Sequence, residues 1–196
     1  MTDAGGRVLV VCTGNVCRSP FLQLLLQREL DARRRDGGPR TVVTSAGVGA
    51  LAGQGMDARA AAQATAYGLD PSGFVARQLT ASMVAEADLV LTATRKHRGD
   101  VATLHPRALR YTFTYLDFAD LAEGLEVDAL APAAPQTQPR LVEVVRAVAA
   151  RRGVNPPLEA VRADIVDPFR RQDEVFVQMA EQVTASMPTV ATALAL

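Results

Sequence analysis

The sequence has no tryptophan, two cysteines, two histidines and no surplus of charge, since 21 basic residues balance 21 acidic ones. Each shortage excludes something. Two cysteines are too few for the disulfide framework that holds small secreted domains together. Zero net charge gives no electrostatic footing on nucleic acid or on an anionic membrane. No apolar run reaches the roughly 18–20 residues that cross a bilayer. The opening MTDAGGRVLVVC is too short, and too soon broken by Gly14 and Asn15, for a secretory leader. Together these absences predict a cytoplasmic protein with reduced thiols, no nucleic-acid partner and no membrane insertion. Positive charge is almost all arginine, with Lys96 the one lysine, a bias that reads as genomic base composition rather than chemistry.

What is present fits one domain over residues 1–196, with 48% apolar and 21% charged residues. Arg7–Val11 is a β-branched run without alternation, as in a central strand covered on both faces. Ser19 reads as a helix N-cap with Pro20 at the first helical position, and leucines 22, 25, 26 and 30 recur at helical spacing up to Asp36-Gly37-Gly38. Thr41–Ser45, Asp88–Thr92 and Ala108–Phe113 read as further strands. Asp57, Thr80 and Thr94 are set to cap the helices between them. That order predicts an α/β protein: a three-layer, open parallel sheet of about four strands with helices on both faces. Ligands of such sheets bind beyond the strand C-termini, where Cys12 falls. Residues 131–139 form a proline-rich loop, Arg140–Arg152 a helix, and a last helix starts near Asp173 and is interrupted at Pro188.

Both cysteines lie in one stretch, CTGNVCRSP, between the first strand and the first helix. A thiol attacks as the thiolate, and positive partial charge nearby favours that form. The five residues between Cys12 and Arg18 suffice to curl backbone N–H groups around one tetrahedral anion, with Gly14 allowing the curl. Arg18 adds a planar fork for two phosphate oxygens. Ser19 either donates a hydrogen bond to the sulfur or only caps the helix. His97 and His105 form no second ligand pair to complete a zinc site with the two thiols. No Gly-Lys-Ser/Thr follows to make a Walker loop. The run Arg95, Lys96, His97, Arg98 reads as a solvated basic helix face.

On these residues the sequence resembles the low-molecular-weight protein tyrosine phosphatases. The likeness runs from Cys12–Pro20 through Thr-Ser-Ala-Gly at 44–47 and Val-Ala-Arg-Gln-Leu-Thr at 75–80 to Asp-Pro-Phe at 167–169. It implies Cys12 as nucleophile, Arg18 as phosphate clamp and Asp167 as general acid, with Asp164 the rival carboxylate. Thr13, Gly14, Asn15, Val16, Cys17 and Ser19 would line the phosphate, Phe169 would wall the cleft, and Ser45 would brace Asn15. The implied reaction is hydrolysis of a tyrosine-phosphorylated protein through a phosphocysteine, with no cofactor and no metal, since Arg18 and the amides supply the positive field.

Departures from the family pattern are Phe74, where members often carry a histidine that helps brace the loop asparagine, and Phe169, where many carry tyrosine. The segment from about 121 to 163 is also longer than usual and reads as a lid, a partner surface or, foremost, an inert insertion. Val16, in place of threonine, points to phosphotyrosine rather than phosphoarginine. Cys17 is either a buried loop residue or a thiol that traps oxidised Cys12 as a disulfide. Two competing functions stand beside the leading one: an arsenate reductase on the same fold, using a low-molecular-weight thiol, and a non-catalytic phosphate-binding module. The reductases tend to carry glutamine where Pro20 stands, and those coupled to thioredoxin need cysteines beyond the loop.

Overall fold

The computed structural model describes residues 4–34, 38–130, 140–154 and 156–195. Four strands form one sheet: β1 (Ala4–Cys12), β2 (Arg40–Gly47), β3 (Leu89–Thr92) and β4 (Thr112–Thr114). All pair in parallel, in the order β2-β1-β3-β4, so the three-layer open sheet expected from the sequence is the one found. The helices among the described residues are α1 (Arg18–Arg33), α2 (Ala58–Ala66), α3 (Ala81–Ala85), α4 (Arg95–Leu104), α5 (Tyr115–Ala122), α6 (Arg140–Ala150), α7 (Ala160–Ala163) and α8 (Asp173–Leu194). The proline-rich stretch 131–139 and the helix stop at Asp36-Gly37 lie outside the described residues.

β1 is central, and its alternation sorts the helices into two layers. Val8, Val10 and Cys12 point into a core shared with α1, α5, α6 and α8, while Leu9 and Val11 face Val84 of α3 and Val101 of α4. Each fully buried valine or leucine contributes about 1.5–3 kcal/mol, so this one strand anchors both layers. The caps Asp57, Thr80 and Thr94 all form, each side chain accepting a backbone N–H from its own first turn.

Two expectations shift. The fourth strand is only three residues long, because Pro106–Tyr111 winds as a 3-10 helix with Pro106 in its first turn. The last helix is not interrupted at Pro188. Proline there removes one helix hydrogen bond at a cost of about 3 kcal/mol. Met187, Val190 and Ala191 are buried on either side and hold the helix against the core. The helix expected over Arg140–Arg152 forms as α6, inside the segment read as an insertion, and buries Leu141, Val144, Val145 and Val148 in the main core. β1 is irregular between Ala4 and Arg7, where Gly6 takes φ 102°. A Cβ on Gly6 would stand 2.6 Å from Leu141 Cδ2, so α6 seats directly on that irregularity. Among the described residues no helix is long and apolar enough to cross a membrane.

Candidate active site

β1 ends at Cys12 and α1 begins at Arg18, leaving residues 13–17 to turn between them. The carbonyls of Cys12, Thr13, Gly14 and Val16 accept the N–H groups of Val48, Gly49, Leu51 and Asp57 at 3.0, 3.0, 3.0 and 2.9 Å. Those carbonyls therefore face the 48–57 segment, and the planar peptide sets each N–H the opposite way. The amides of residues 13–17 donate to no protein acceptor among the described residues. With the amino end of α1 they form a bowl of donors above the end of β1.

The curl falls at Asn15, whose φ is 55°, and not at Gly14. Asparagine is among the few residues that take the left-handed region at small cost. A Cβ on Gly14 would meet nothing nearer than 3.5 Å. The glycine the loop does require is Gly47, the last residue of the Thr-Ser-Ala-Gly stretch: a Cβ there would stand 2.3 Å from the Thr13 carbonyl oxygen. Gly47 ends β2 opposite Cys12.

A chain of buried polar groups fixes the hydrogen at the sulfur. The Asn15 Oδ1 accepts the Arg77 N–H at 2.8 Å, which orients the amide and aims its Nδ2 at Ser45 Oγ and Ser19 Oγ, both at 2.8 Å. Ser45 passes its own hydrogen to Gln23 Oε1 at 2.6 Å. Ser19 accepts from Asn15, so its hydroxyl hydrogen is left to donate to Cys12 Sγ, 2.9 Å away. Ser19 is thus no helix cap: it lies within α1, whose N-cap is Cys17, and its oxygen serves the sulfur. Phe74 stands among the apolar residues around Val16 and Phe176, and the Arg77 amide does the bracing of Asn15.

The Arg18 side chain is buried, with Nη2 at 2.9 Å from Asp167 Oδ2 and Nη1 at 3.5 Å from the Ile165 carbonyl. Asp167 Oδ1 accepts the Phe169 N–H at 3.2 Å, and its side chain is half-exposed at the rim. Asp164 points elsewhere: its Oδ1 accepts the Arg95 N–H at 2.8 Å, at the start of α4. The Phe169 ring is exposed beside Arg170, which carries φ 60°. Val16 and Cys17 turn their side chains into an apolar cluster with Ala60, Ala76 and Phe176, so they face the bowl through their amides. Burial, followed by the nearby Asp57, pushes the Cys17 thiol up to about 12. Both cysteines are free thiols.

His97, expected on a solvated face, is buried. Its Nε2 lies 2.8 Å from Thr13 Oγ1 and its Nδ1 2.8 Å from Thr94 Oγ1. Burial, then the Arg18 charge, lowers its pKa to about 4. The pattern held a sign of this, because His97 and Val101 share the inward face of α4 at a spacing of four. Among the described residues no group of three or more His, Cys, Asp or Glu is placed to hold a metal.

Residues 7–151 match the low molecular weight phosphotyrosine protein phosphatase family. The chain belongs to that family. A low molecular weight protein-tyrosine-phosphatase, Wzb of Salmonella typhi, is 41% identical over 100 residues, covering 51% of this chain and 62% of that relative's own length. Among solved structures, the low molecular weight protein tyrosine phosphatase of T. tengcongensis superposes with TM-score 0.67 and 25% identity, over 94% of this chain and 97% of that one. An arginine phosphatase, YwlE of Geobacillus stearothermophilus, superposes with TM-score 0.65 and 24% identity, over 95% and 91%. The fold is therefore common to both kinds of phosphatase and does not select the substrate. The family match ends before Asp167, so the role of that residue rests on geometry and chemistry.

Proposed function

We propose that the protein is a protein-tyrosine phosphatase working through a phosphocysteine. The observation that carries this reading is the stack at the bowl: the Ser19 hydroxyl on Cys12 Sγ below, inward amides around it, and the Arg18–Asp167 pair above. The phosphate of the substrate sits in the bowl with two oxygens on the Arg18 fork. The Cys12 thiolate attacks phosphorus in line, forming the S–P bond as the P–O bond to the tyrosyl ring breaks. The electron pair goes to the phenolic oxygen, which takes the proton of the Asp167 carboxyl. Water then attacks the phosphocysteine and gives a proton to the Asp167 carboxylate. The S–P bond returns its pair to sulfur, and inorganic phosphate leaves. The loop amides and Arg18 supply positive field to the phosphoryl oxygens throughout.

Several features support phosphotyrosine over phosphoarginine. Val16 takes the place where threonine accompanies arginine phosphatases, and the exposed Phe169 ring offers an aromatic wall to a tyrosyl ring. We read residues 1–196 as one domain, since α6 of the longer segment shares the main core. A cytoplasmic setting keeps both thiols reduced. The test is turnover of p-nitrophenyl phosphate and of peptides carrying phosphotyrosine, phosphoarginine or phosphoserine, with arsenite production measured in parallel. Phosphotyrosine is expected to lead, and Cys12→Ser to abolish turnover while retaining phosphopeptide binding. Faster hydrolysis of phosphoarginine, or arsenite production that outpaces ester hydrolysis, overturns the reading.

A further inference from the structure

His97 does more than fill space beside the loop. It lies in the first turn of α4, only 3% exposed, and threonine hydroxyls meet both of its ring nitrogens at 2.8 Å. One of these, Thr13, belongs to the phosphate loop and is exposed at its mouth. The other, Thr94, also accepts the His97 N–H at 3.3 Å as the cap of α4. The same helix start holds the Asp167 segment: Ala93 O accepts the Ile165 N–H at 2.8 Å, and Asp164 Oδ1 accepts the Arg95 N–H at 2.8 Å. The start of α4 is thus bonded on one side to the loop that would carry the phosphate. On the other side it is bonded to the segment that would carry the proton donor.

We propose that His97 is a positioning residue of the phosphatase reaction, clipping the Thr13 hydroxyl to the helix start that also holds the Asp167 segment. This rests on the phosphatase reading above. The proposal assigns one polarity to the two contacts. In it Thr94, which already accepts the His97 N–H, turns its one hydroxyl hydrogen to Nδ1. The ring proton then sits on Nε2 and is donated to Thr13 Oγ1. Thr13 keeps its own hydroxyl hydrogen free to turn to a phosphate oxygen at the mouth. That arrangement needs a neutral ring. Burial, Arg18 and Lys96 disfavour the imidazolium, against the smaller opposite pull of Asp100 and Asp167.

The experiment compares Thr13→Val, His97→Phe, their combination and His97→Gln by kcat, KM and inhibition by inorganic phosphate, with thermal melts as the folding control. Loss of one such hydrogen bond changes kcat/KM by about threefold to tenfold. Thr13→Val and His97→Phe are each expected to lower kcat/KM by that factor and to weaken phosphate inhibition. The double variant should be no worse than either alone. His97→Gln, whose side-chain N–H can replace Nε2–H, should recover most of the loss. Unchanged kcat/KM and phosphate inhibition in Thr13→Val overturn the proposal. So do additive losses in the double variant, or a His97→Gln enzyme as impaired as His97→Phe. Should His97→Phe fail to fold, the exposed Thr13→Val and the His97→Gln rescue decide alone. Failure of the parent reading looks different: wild type that does not hydrolyse p-nitrophenyl phosphate, or Cys12→Ser that does.

Discussion

Asp167 and Arg18 face each other across the mouth of the bowl, Oδ2 to Nη2 at 2.9 Å, with the other carboxylate oxygen on the Phe169 amide. The guanidinium that would clamp a phosphate thereby also orients the group that would protonate the departing oxygen.

Asp167→Ala is expected to slow turnover by about 10²–10⁴, the usual range for loss of a general acid. Asp164→Ala removes a hydrogen bond at the start of α4 and costs on the order of 1 kcal/mol of stability, with a much smaller loss of rate. Steady-state kinetics and denaturant melts of the two variants separate these outcomes. The reverse ranking would move the acid to Asp164.

Gly47 and Gly49 provide a paired test of loop packing. An added methyl at Gly47 meets the Thr13 carbonyl at 2.3 Å, whereas one at Gly49 meets nothing within 4 Å. Gly47→Ala should destabilise by about 1–3 kcal/mol through overpacking and depress activity with it. Gly49→Ala should change neither by much. Melting temperature and kcat/KM, measured on both, check the contrast.

Asn15 combines a left-handed backbone with three side-chain hydrogen bonds. Asn15→Gly keeps the backbone freedom and loses the bonds. Asn15→Ala loses the bonds and adds roughly 1 kcal/mol of strain. Both should lose much of their activity, because the hydrogen that Ser19 aims at the sulfur is no longer fixed. The alanine variant should be the less stable of the two, and urea denaturation would show it.

The His97 pKa falls from 6.5 in the unfolded chain to about 4 in the fold. Between those values the unfolded chain binds the extra proton, so stability is full above pH 6.5 and is lost as pH falls through about 4. The difference amounts to roughly 3 kcal/mol. His97→Gln should flatten this part of the stability–pH curve while leaving the carboxylate-driven loss at lower pH. Equal slopes in the two proteins would show that His97 titrates normally.

Local signals made the frame legible in the sequence. The β-branched runs of β1 and β3, and the caps at Asp57, Thr80 and Thr94, need only near neighbours and are found where expected. So is the placement of Cys12 and Arg18 at the two ends of one turn. What escaped depends on distant chain. Ser19 reads as either a donor to the sulfur or a cap until Ser45 and Arg77 meet Asn15, with Gln23 beyond Ser45, and decide between the two. His97 reads as surface until the loop comes to rest beside it. Pro188 reads as a break until the core on both sides holds its helix straight through. β4 shrinks because Pro106–Tyr111 winds as a 3-10 helix, leaving only Thr112–Thr114 to pair with Val90, Leu91 and Thr92.

The seat of α6 on Gly6 has a consequence for engineering. Deleting α6 would strip Leu141, Val144, Val145 and Val148 from the core that covers β1 and bare that side of the sheet to water. Moving the helix to another sheet would need the glycine as well, since any side chain at that point strikes Leu141. Helix and glycine therefore form one transferable part, to be moved or removed together.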